Sequence, residues 1–567
     1  MARQCEFFLV ARQRKCTFPA VEGSDFCSVH RPEDRIPCPL DPRHSIFASK
    51  ADSHLLICTH TRDLAYELCL PCMKDNCNGG SDDEAALSDD DKLPGQRQVN
   101  HADESRALFG SEKEERAFGE RIDVAYERAC GFIGIPPEEL LLPHDPGPAQ
   151  RVLSRLSLTR QPHDGAASSS VLQGWLDTLS DDEVIHLIGA FQLSCQQSVA
   201  KRCEARAASA AGSEDRASGG DDGTSCADAP TQSRHHGWFD HMDKHELQAA
   251  NILTIAAAKG WFRPTDRWSR AVFVELGAGK GGLCRWFLMA SAPHVQSDTG
   301  GPAFVLVERE KRRFKRDGRD ETMSGADWAQ RRTIRLRSDL LHFDLKSLLR
   351  LACLGDTASL NRRLCRTPPA WLTRILRERR LVDPSASGEE QQHQLYQQIL
   401  KLAPKGHGQT ADRAWEKLGE VFDGWRANQC VGLAKHLCGC GTDIALRSMH
   451  NAHEGLRDAP SREHVPSMRI IAAPCCHHRC EWSLFTGKEF LTDLGLTKED
   501  FPVLAACAGW GTGAKGWRRE TGMKIKRLLD IARVSWLRAH GYSDATLVRF
   551  ASPGTTLENV LLVGGID

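Results

Sequence analysis

The sequence predicts an α/β protein, in which a mostly parallel β-sheet follows two small metal-binding modules and a helical connecting segment. Residues 272–282 (VFVELGAGKGG) have the pattern of a buried strand, a glycine-rich turn and the start of a helix. From there to residue 567, short apolar strands alternate with helical segments, as in a parallel sheet covered by helices. The first sixty residues contain two complete sets of cysteine and histidine at metal-ligand spacing.

Length and composition favour several folded units without a membrane segment. At 567 residues the chain exceeds what one core supports, and 41% hydrophobic residues permit a sizeable core. No apolar run reaches the roughly 18 residues of a membrane span, and the N-terminus lacks the apolar core of a secretory signal. The 22 cysteines therefore predict thiols and zinc in a reducing compartment. We expect an intracellular protein of the cytoplasm and/or nucleus, not a secreted one.

The two N-terminal ligand sets predict two structural zinc ions. A CCCH-type module at residues 1–33 has the spacing C-x10-C-x10-C-x2-H, and a CHHC-type module at residues 34–62 has C-x5-H-x9-H-x3-C. Each set supplies the four ligands of a closed tetrahedral site, and segments this short need a metal to fold. We expect these modules to contact RNA or protein. The predicted ligands are Cys5, Cys16, Cys27 and His30 in the first module and Cys38, His44, His54 and Cys58 in the second.

Residues 63–234 are expected to connect these modules to a catalytic half. Cys69, Cys72 and Cys77 lack a fourth ligand, so unliganded thiols are predicted. A polar, acidic linker is predicted from Asn78 to residue 100 and a disordered low-complexity stretch over 207–233. Helices are predicted over 112–130 and from about 171 to 198, the second with a capping box at residues 180–183.

Residues 235–567 are predicted to form the catalytic domain, and the last strands determine its class. Strands at 544–550 and 557–563 are joined by a turn too short for a crossover helix, so they pair antiparallel. A parallel sheet that ends in such a hairpin is the layout of a class I (Rossmann-like) S-adenosylmethionine methyltransferase domain, whereas an NAD enzyme more often continues with parallel strands. The other predicted elements are strands at 271–276, 303–308, 333–337, 430–434 and 468–473 and helices at 241–259 and 520–540.

The carboxyl ends of the first three strands carry the candidate cofactor-binding residues. Glycines in the turn allow unusual backbone dihedrals and close approach to a ligand. Glu308 ends the second strand, where a carboxylate would grip a ribose, and Asp339 follows the third, where it would address an adenine. The full set is Glu275, Gly277, Gly279, Gly281, Glu308 and Asp339.

Five segments of the catalytic half together resemble a known enzyme family. They are residues 275–281 (ELGAGKG), 435–447 (KHLCGCGTDIALR), 475–482 (CCHHRCEW), 526–530 (KRLLD) and 557–562 (LENVLL). This set is similar to the eukaryotic tRNA 2′-O-methyltransferases that modify the fourth nucleotide of the acceptor stem, and both zinc motifs fit the same family. The resemblance covers residues 1–60 and roughly 235–567. Residues 355–428 look like an insertion, and 130–230 match nothing in the family.

The resemblance implies an activity, two kinds of cofactor and a partner. The activity would be transfer of a methyl group from S-adenosylmethionine to the ribose 2′-hydroxyl of nucleotide 4 in a tRNA. The cofactors would be S-adenosylmethionine and two Zn²⁺ ions, and the partner the tRNA acceptor stem. No membrane and no DNA partner is expected.

Methyl transfer to a hydroxyl requires in-line placement and a route for the hydroxyl proton. Lys435 and His436, after the fourth predicted strand, are the candidate catalytic residues. The alternative is that His436 only hydrogen-bonds the backbone and that Lys435 only touches phosphate.

The CCHHRC cluster at 475–480 has three interpretations. The cluster could be a third zinc site, with strained geometry because its ligands are so close in sequence. It could supply Cys475 as a nucleophile, since Pro474 precedes it as in cytosine C5-methyltransferases. It could instead form a pocket that positions RNA. The resemblance favours the pocket, with Cys476, His477, His478 and Arg479 as its residues. A basic run at 309–319 is expected to bind the phosphate backbone, through Arg312, Arg313, Lys315 and Arg316.

Two other functions remain open from the sequence. One is an RNA cytosine C5-methyltransferase that uses Cys475. The other is a non-catalytic zinc-finger RNA-binding protein, against which the intact glycine turn and Glu308 argue.

Overall fold

The computed structural model describes most of the catalytic half and parts of the N-terminal half. The described residues are 3–6, 8–9, 14–27, 35–48, 51–70, 72–74, 76–79, 109–138, 140–141, 148–149, 151–152, 170–180, 182–184, 187, 191, 242–262, 270–291, 301–310, 332–356, 368, 370–378, 381–383, 388–402, 411–458 and 465–567. They fall into two compact units. The first is Met1–Leu70 with Arg362–Arg413, and the second is Pro71–Asn361 with Ala414–Asp567.

The elements are numbered here in chain order over the described residues. The strands are β1 (Phe8–Leu9), β2 (Arg14–Lys15), β3 (Arg35–Cys38), β4 (Asp41–Phe47), β5 (Ala271–Leu276), β6 (Ala303–Val307), β7 (Arg332–Leu336), β8 (Gln429–Cys438), β9 (Ser467–Cys475), β10 (Thr546–Arg549) and β11 (Val560–Ile566). The helices are α1 (Ala51–Leu55), α2 (Thr59–Leu68), α3 (Glu112–Ile133), α4 (Ser170–Asp177), α5 (Lys244–Ala258), α6 (Gly282–Ser291), α7 (Leu345–Leu349), α8 (Ala370–Glu378), α9 (Gly388–Leu402), α10 (Ala411–Phe422), α11 (Gly441–Arg457), α12 (Lys488–Asp493), α13 (Phe501–Ala508), α14 (Trp510–Gly513) and α15 (Gly516–Ala539).

The first unit contains two small hairpins and short helices. Strands β1 and β2 pair antiparallel, as do β3 and β4. Cys5, Cys16 and Cys27 form one buried cluster, and Cys38, Ile46 and Cys58 form another. Helix α9 packs against α2. With so few apolar side chains, each hairpin depends on its cysteine cluster for a core.

A seven-stranded, mostly parallel sheet organises the second unit, as the sequence predicts. Its strand order is β10-β11-β9-β8-β5-β6-β7. Strands β5 to β9 pair parallel, and β11 runs antiparallel to both β9 and β10. The predicted antiparallel ending is therefore confirmed, with β11 inserted between β9 and β10. Every residue of β5 is buried, because helices cover both faces of the sheet.

The chain leaves β5 towards β6 and β7 on one side and later returns to β8 on the other. In open α/β sheets such a reversal creates a crevice at the carboxyl ends of the strands. Here the crevice lies between the ends of β5 and β8, which are adjacent in the sheet. The candidate site lies at the carboxyl ends of these two strands.

Helix α3 belongs to the second unit although the sequence analysis placed it in the connecting segment. It packs along the last long helix, α15. Glu115 pairs with Arg518 at 2.6 Å, and Asp123 pairs with Lys524 at 2.9 Å. The amphipathic pattern that predicted α3 marks the face that lies against the catalytic unit.

The predicted helix from 171 to 198 is wrong as one continuous element. Helix α4 ends at Asp177, and Ser180 then caps a new turn. The Glu183 amide donates to Ser180 Oγ at 3.3 Å, and the Ser180 amide donates to the Glu183 carboxylate at 2.9 Å. A capping box satisfies amides that have no partner in a preceding turn, so it starts a helix and cannot lie inside one.

The predicted start of the linker at Asn78 is also wrong. Asn78 is buried, and its side-chain amide donates to Leu340 O at 2.7 Å and to Phe343 O at 2.9 Å. The Lys74 amide donates to His342 O at 2.8 Å. Buried polar groups require partners, and here they come from the segment after β7. The remainder of the predicted linker and the low-complexity stretch lie outside the described residues.

No helix in the described part of the chain is long and apolar enough to cross a membrane.

Candidate functional site

The turn between β5 and α6 forms an open cradle at the carboxyl end of the central strand. Gly277, Gly279 and Gly281 have φ values of 71°, 53° and 77°. L-residues rarely adopt these left-handed dihedrals, so glycine is required. A Cβ on Gly279 would meet no described heavy atom within 4 Å, so the turn faces open space there.

Two carboxylates hold this turn in place. Glu308 Oε2 accepts a hydrogen bond from the Gly279 amide at 2.6 Å, and its Oε1 accepts one from the Glu310 amide at 2.8 Å. Glu275 is buried, and its Oε2 accepts a hydrogen bond from the Cys284 amide in the first turn of α6 at 3.0 Å. Glu308 therefore lies at the cradle. Glu275 secures the start of the helix behind it, which revises its predicted role as a direct cofactor contact.

Asp339 lies after β7, where the sequence analysis expected it. Its Oδ1 accepts a hydrogen bond from the Leu341 amide at 3.0 Å, and its Oδ2 is 3.3 Å from Arg309 Nη1. Arg335, which the sequence analysis missed, is buried on β7 and donates to Gly279 O at 2.9 Å. A single arginine inside a strand gives no sequence signal for such a contact.

Lys435 and His436 lie next to the cradle, on the neighbouring strand. Strand β8 continues to Cys438, four residues beyond its predicted end at residue 434. A Cβ on Gly277 would overlap Leu437 Cδ2, so the β8 segment packs directly on the glycine turn. Lys435 Nζ donates to His245 O at 3.1 Å, and the His436 and His245 rings meet edge-on at 5.6 Å.

His436 has two unusual properties. Its backbone is left-handed, with φ of 63°, although it is not glycine. Partial burial of the ring, followed by the nearby positive charges of Lys435 and His245, lowers the pKa of His436 to about 4. Part of the side chain still faces solvent. The imidazole is therefore neutral and accessible near neutral pH.

Buried ion pairs and hydrogen bonds join four of the five segments that carry the family resemblance, all except residues 275–281. At the centre of this network, Arg533 of α15 lies 2.7 Å from Asp443 Oδ2 and 3.1 Å from Asp530 Oδ1. Further bonds extend it: Arg527 to Asn559 at 2.8 Å, Thr486 Oγ1 to Asp443 at 2.8 Å, and Lys526 to Glu558. Charged residues are rarely this buried unless paired, so these segments form one structural unit.

His477, one of the residues predicted for a pocket that positions RNA, belongs to this network inside the protein and is not exposed to RNA. The ring is fully buried, and its Nε2 lies 2.8 Å from Asp530 Oδ1. Burial alone would raise the pKa of Asp530, but His477, Arg533 and Arg527 hold it below its usual value. His477 is an anchor inside the protein. Among the other predicted pocket residues, Cys476 and His478 are half-buried and Arg479 is exposed.

The N-terminal ligand sets fit zinc as far as they are described. Zn–S bonds of about 2.3 Å in a tetrahedron place sulfurs about 3.8 Å apart. Cys16 and Cys27 Sγ are 4.0 Å apart, and Cys38 and Cys58 Sγ are 3.9 Å apart. Cys5 completes the first group, and His54 Nε2 lies 3.5 Å from Cys38 Sγ in the second. His30 and the side chain of His44 lie outside the described residues.

Two further cysteine groups lie beside the candidate site. Cys438, Cys475 and Cys476 form one, and Cys440, Asp443 and Cys480 form the other. Cys438 and Cys440 lie far upstream of residues 475–480 in sequence. The register of β8 against β9 brings Cys438 opposite Cys475, and Cys440 contacts the backbone of Glu481. Cys69, Cys72 and Cys77 form no such group among the described residues. The basic residues Arg312, Arg313, Lys315 and Arg316 lie outside the described part of the chain.

Two family models match the chain in order. One, described as "CCCH zinc finger in TRM13 protein", matches residues 3–31. The other, described as "Methyltransferase TRM13", matches residues 247–366, 417–517 and 514–565. Its gap falls within the predicted insertion at 355–428, and most of the residues in the gap group with the first compact unit.

Relatives with the same name occur in mammals and fungi. The chain is 24% identical over 394 residues to "tRNA:m(4)X modification enzyme TRM13 homolog" of Mus musculus, over 56% of this chain and 63% of the relative. It is 23% identical over 399 residues to the Homo sapiens homolog, over 57% of this chain and 64% of the relative. It is 47% identical over 66 residues to "tRNA:m(4)X modification enzyme TRM13" of Kluyveromyces lactis, over 11% of this chain and 15% of the relative.

The chain thus spans less than two thirds of the mammalian relatives' length. No solved structure matches it. The zinc-finger and methyltransferase models match the regions that hold the first cysteine cluster, the glycine cradle and the buried ion network. The chain belongs to the TRM13 methyltransferase family.

Proposed function

We propose that this protein is a class I S-adenosylmethionine-dependent methyltransferase that modifies the ribose 2′-hydroxyl of nucleotide 4 in tRNA acceptor stems. The contact of Leu437 with Gly277 is the observation that carries the proposal. It places Lys435 and His436 on the strand adjacent to the glycine cradle, at the crevice of the sheet. The position and the kind of RNA follow the name of the relatives, tRNA:m(4)X modification enzyme.

The residues at the cradle fit S-adenosylmethionine. The left-handed glycine turn leaves open space, Glu308 would accept hydrogen bonds from the ribose hydroxyls, and Asp339, at the next strand end, would address the adenine. The cofactor would supply a methyl group already activated on a sulfonium. The strand order, with β11 the one antiparallel strand in the described sheet, supports the class I assignment.

The protein's own part in the reaction is to place the hydroxyl and to accept its proton. His436 presents an accessible ring beside the cradle, and Lys435 is fixed by its hydrogen bond to His245 O. A positioned base such as His436 accelerates the reaction by removing the hydroxyl proton during attack. A cation such as Lys435 stabilises the developing alkoxide. Arg479 is exposed at the start of the adjacent loop and is available to a phosphate of the acceptor stem.

The cytosine C5-methyltransferase alternative needs an accessible thiol at Cys475. That residue is buried, and its Sγ lies 3.8 Å from Cys438 Sγ within a group of three thiols. A nucleophilic thiol must reach the carbon of the base that it attacks. The Cys475 thiol instead lies against the sulfurs of Cys438 and Cys476. The ribose reaction therefore agrees better with the geometry.

Methylation of bulk tRNA tests the proposal directly. The full chain is incubated with tRNA and methyl-labelled S-adenosylmethionine, and the product is mapped by nuclease and alkaline digestion. We expect label at nucleotide 4 in an alkali-resistant dinucleotide, because a 2′-O-methyl group blocks cleavage of the adjacent phosphodiester. Label on a base, or no transfer with intact cofactor binding, would contradict the 2′-O assignment.

Glu308→Ala is expected to weaken S-adenosylmethionine binding about 10- to 100-fold, which corresponds to charged hydrogen bonds of about 1.5–3 kcal/mol. The variant removes the acceptor of the Gly279 and Glu310 amides together with the candidate ribose contact. Calorimetry measures the dissociation constant. Glu310→Ala is the matched control, since removing that exposed side chain leaves intact the backbone amide that donates to Glu308. Equal effects of the two substitutions would refute the assignment of Glu308.

His436→Ala is expected to lower kcat about 100-fold or more, the scale of a lost general base. The dissociation constant for S-adenosylmethionine should change little, because Glu308 and the glycine turn hold the cofactor site. Single-turnover methylation at saturating tRNA measures the chemical step. A normal single-turnover rate would show that His436 serves only the local backbone.

A further inference from the structure

We propose that Cys438, Cys475 and Cys476 form a third zinc site, at the carboxyl ends of β8 and β9. A zinc site built only from residues 475–480 would have strained geometry, because all its ligands would come from six consecutive residues. The structure draws one ligand from a different strand, which removes that difficulty. The proposal does not depend on the methylation reaction.

The separation of the sulfurs matches zinc coordination. Cys438 and Cys475 Sγ are 3.8 Å apart, and all three sulfurs lie within 4.8 Å of one another. A tetrahedron with Zn–S bonds of about 2.3 Å has an edge of about 3.8 Å. A disulfide would bring two sulfurs to about 2.05 Å. The spacing is therefore that of separate thiolate ligands, close to the 4.0 Å and 3.9 Å of the two N-terminal groups.

The backbone departs from regular strand geometry to bring these thiols together. The register of β8 against β9 shifts between Lys435 and Cys438, so that Cys438 lies opposite Cys475. His436 and Cys476 are two of the four non-glycine residues with positive φ in the described part of the chain, at 63° and 46°. Strained dihedrals persist where the surrounding structure requires them, commonly at ligand sites.

The neighbouring group of Cys440, Asp443 and Cys480 shows the contrasting case. Arg533 Nη2 lies 3.2 Å from Cys480 Sγ and 2.7 Å from Asp443 Oδ2, so that group already has a cation. The hydrogen bonds and ion pairs of the described residues bring no lysine or arginine to Cys438, Cys475 and Cys476. Of the two groups, the three-thiol group is therefore the one whose sulfurs accept no arginine hydrogen bond among the described residues, which leaves them available as thiolate ligands.

The chemistry of the ligands defines the ion and its effect. Three thiolates select a borderline-soft divalent ion such as Zn²⁺ and leave a fourth position for water. Three negative ligands more than neutralise the ion, so it would polarise that water weakly. We therefore assign it a positioning role: it ties the end of β8, which carries Lys435 and His436, to the start of the loop that carries Arg479.

The test is the zinc content of the purified full chain. We expect about three zinc ions per chain in the wild type, since each site of this kind binds one ion tightly. A variant with Cys16→Ser and Cys58→Ser, which breaks both N-terminal sets, should retain about one ion, and adding Cys476→Ser should remove it. Cys77→Ser is the control, because that half-buried thiol belongs to none of the possible metal-ligand groups found among the described residues.

Two results would overturn the proposal. One is an N-terminally disrupted variant that remains folded by circular dichroism and carries no zinc. The other is wild-type protein with two zinc ions per chain, both lost in the N-terminally disrupted variant. Cobalt substitution gives an independent measurement in the same variants, because thiolate-to-cobalt absorption should survive the N-terminal changes and disappear with Cys476→Ser.

Discussion

Arg533→Ala is expected to destabilise the catalytic unit by about 3–5 kcal/mol, the cost of removing one partner from a buried ion network. The side chain is 1% exposed and bonds Asp443, Asp530 and Cys480. Without it, buried Asp443 loses its arginine partner, and buried Asp530 loses one of its three basic partners. Denaturant unfolding of the full chain, followed by tryptophan fluorescence, measures the change.

The matched control for this prediction is Arg519→Ala, on the same helix. Arg519 is exposed, so its removal should change the free energy of unfolding by less than about 0.5 kcal/mol. If both variants unfold at the same denaturant concentration, the buried network does not hold residues 435–447, 475–482, 526–530 and 557–562 together. A double-mutant cycle of Arg533→Ala with Asp443→Ala should show strong coupling, because the two side chains share two hydrogen bonds.

Gly439→Ala is expected to cost about 2–5 kcal/mol, combining about 1–2 kcal/mol for a left-handed L-residue with about 1–3 kcal/mol for overpacking. Gly439 has φ of 58°, and an added Cβ would lie 2.5 Å from Arg479 O and 2.8 Å from Arg479 C. These are backbone atoms, which cannot rotate away as the end of a flexible side chain does. The two loops that border the site must therefore separate.

Methyltransferase activity should fall with stability in Gly439→Ala, because one displaced loop directly follows the end of β8, which carries His436, and the other carries Arg479. Gly441→Ala is the matched control two residues away: its added Cβ would lie 3.5 Å from Leu437 Cβ, an ordinary contact. Activity and thermal unfolding are measured for both at the same temperature. Full activity in Gly439→Ala would mean that the contact between these loops does not position the site.

Local patterns in the sequence account for most of the second unit's elements. Strands β5, β6, β7 and β9 begin within one residue of their predicted starts, because each is a short apolar run between polar turns. The short connection at residues 551–554 predicts the antiparallel ending, since no crossover helix fits there. The three left-handed glycines and Glu308 follow from the same local chemistry, because a turn of this kind requires residues without a Cβ.

Features that depend on burial and register were not predictable from such patterns. In sequence, His477 belongs to the cluster predicted to form an RNA-positioning pocket, but its buried partner Asp530 is 53 residues away. Glu275 lies beside the glycine turn in sequence, yet its carboxylate turns inward to the Cys284 amide. The packing of α3 on α15 likewise depends on contacts between distant segments.

The sequence by itself determined the family, the alternation of strands and helices, the cysteine-rich N-terminal ligand sets and the glycine cradle, because each depends on residue types at short, regular spacing. Only the tertiary structure decided which polar residues are buried partners and which face the crevice. The parallel register of β8 and β9 placed Cys438 against Cys475, and α15 brought Arg533 to Asp443 across 90 residues. Those contacts arise when strands and helices pack, so no local pattern in the chain could have revealed them.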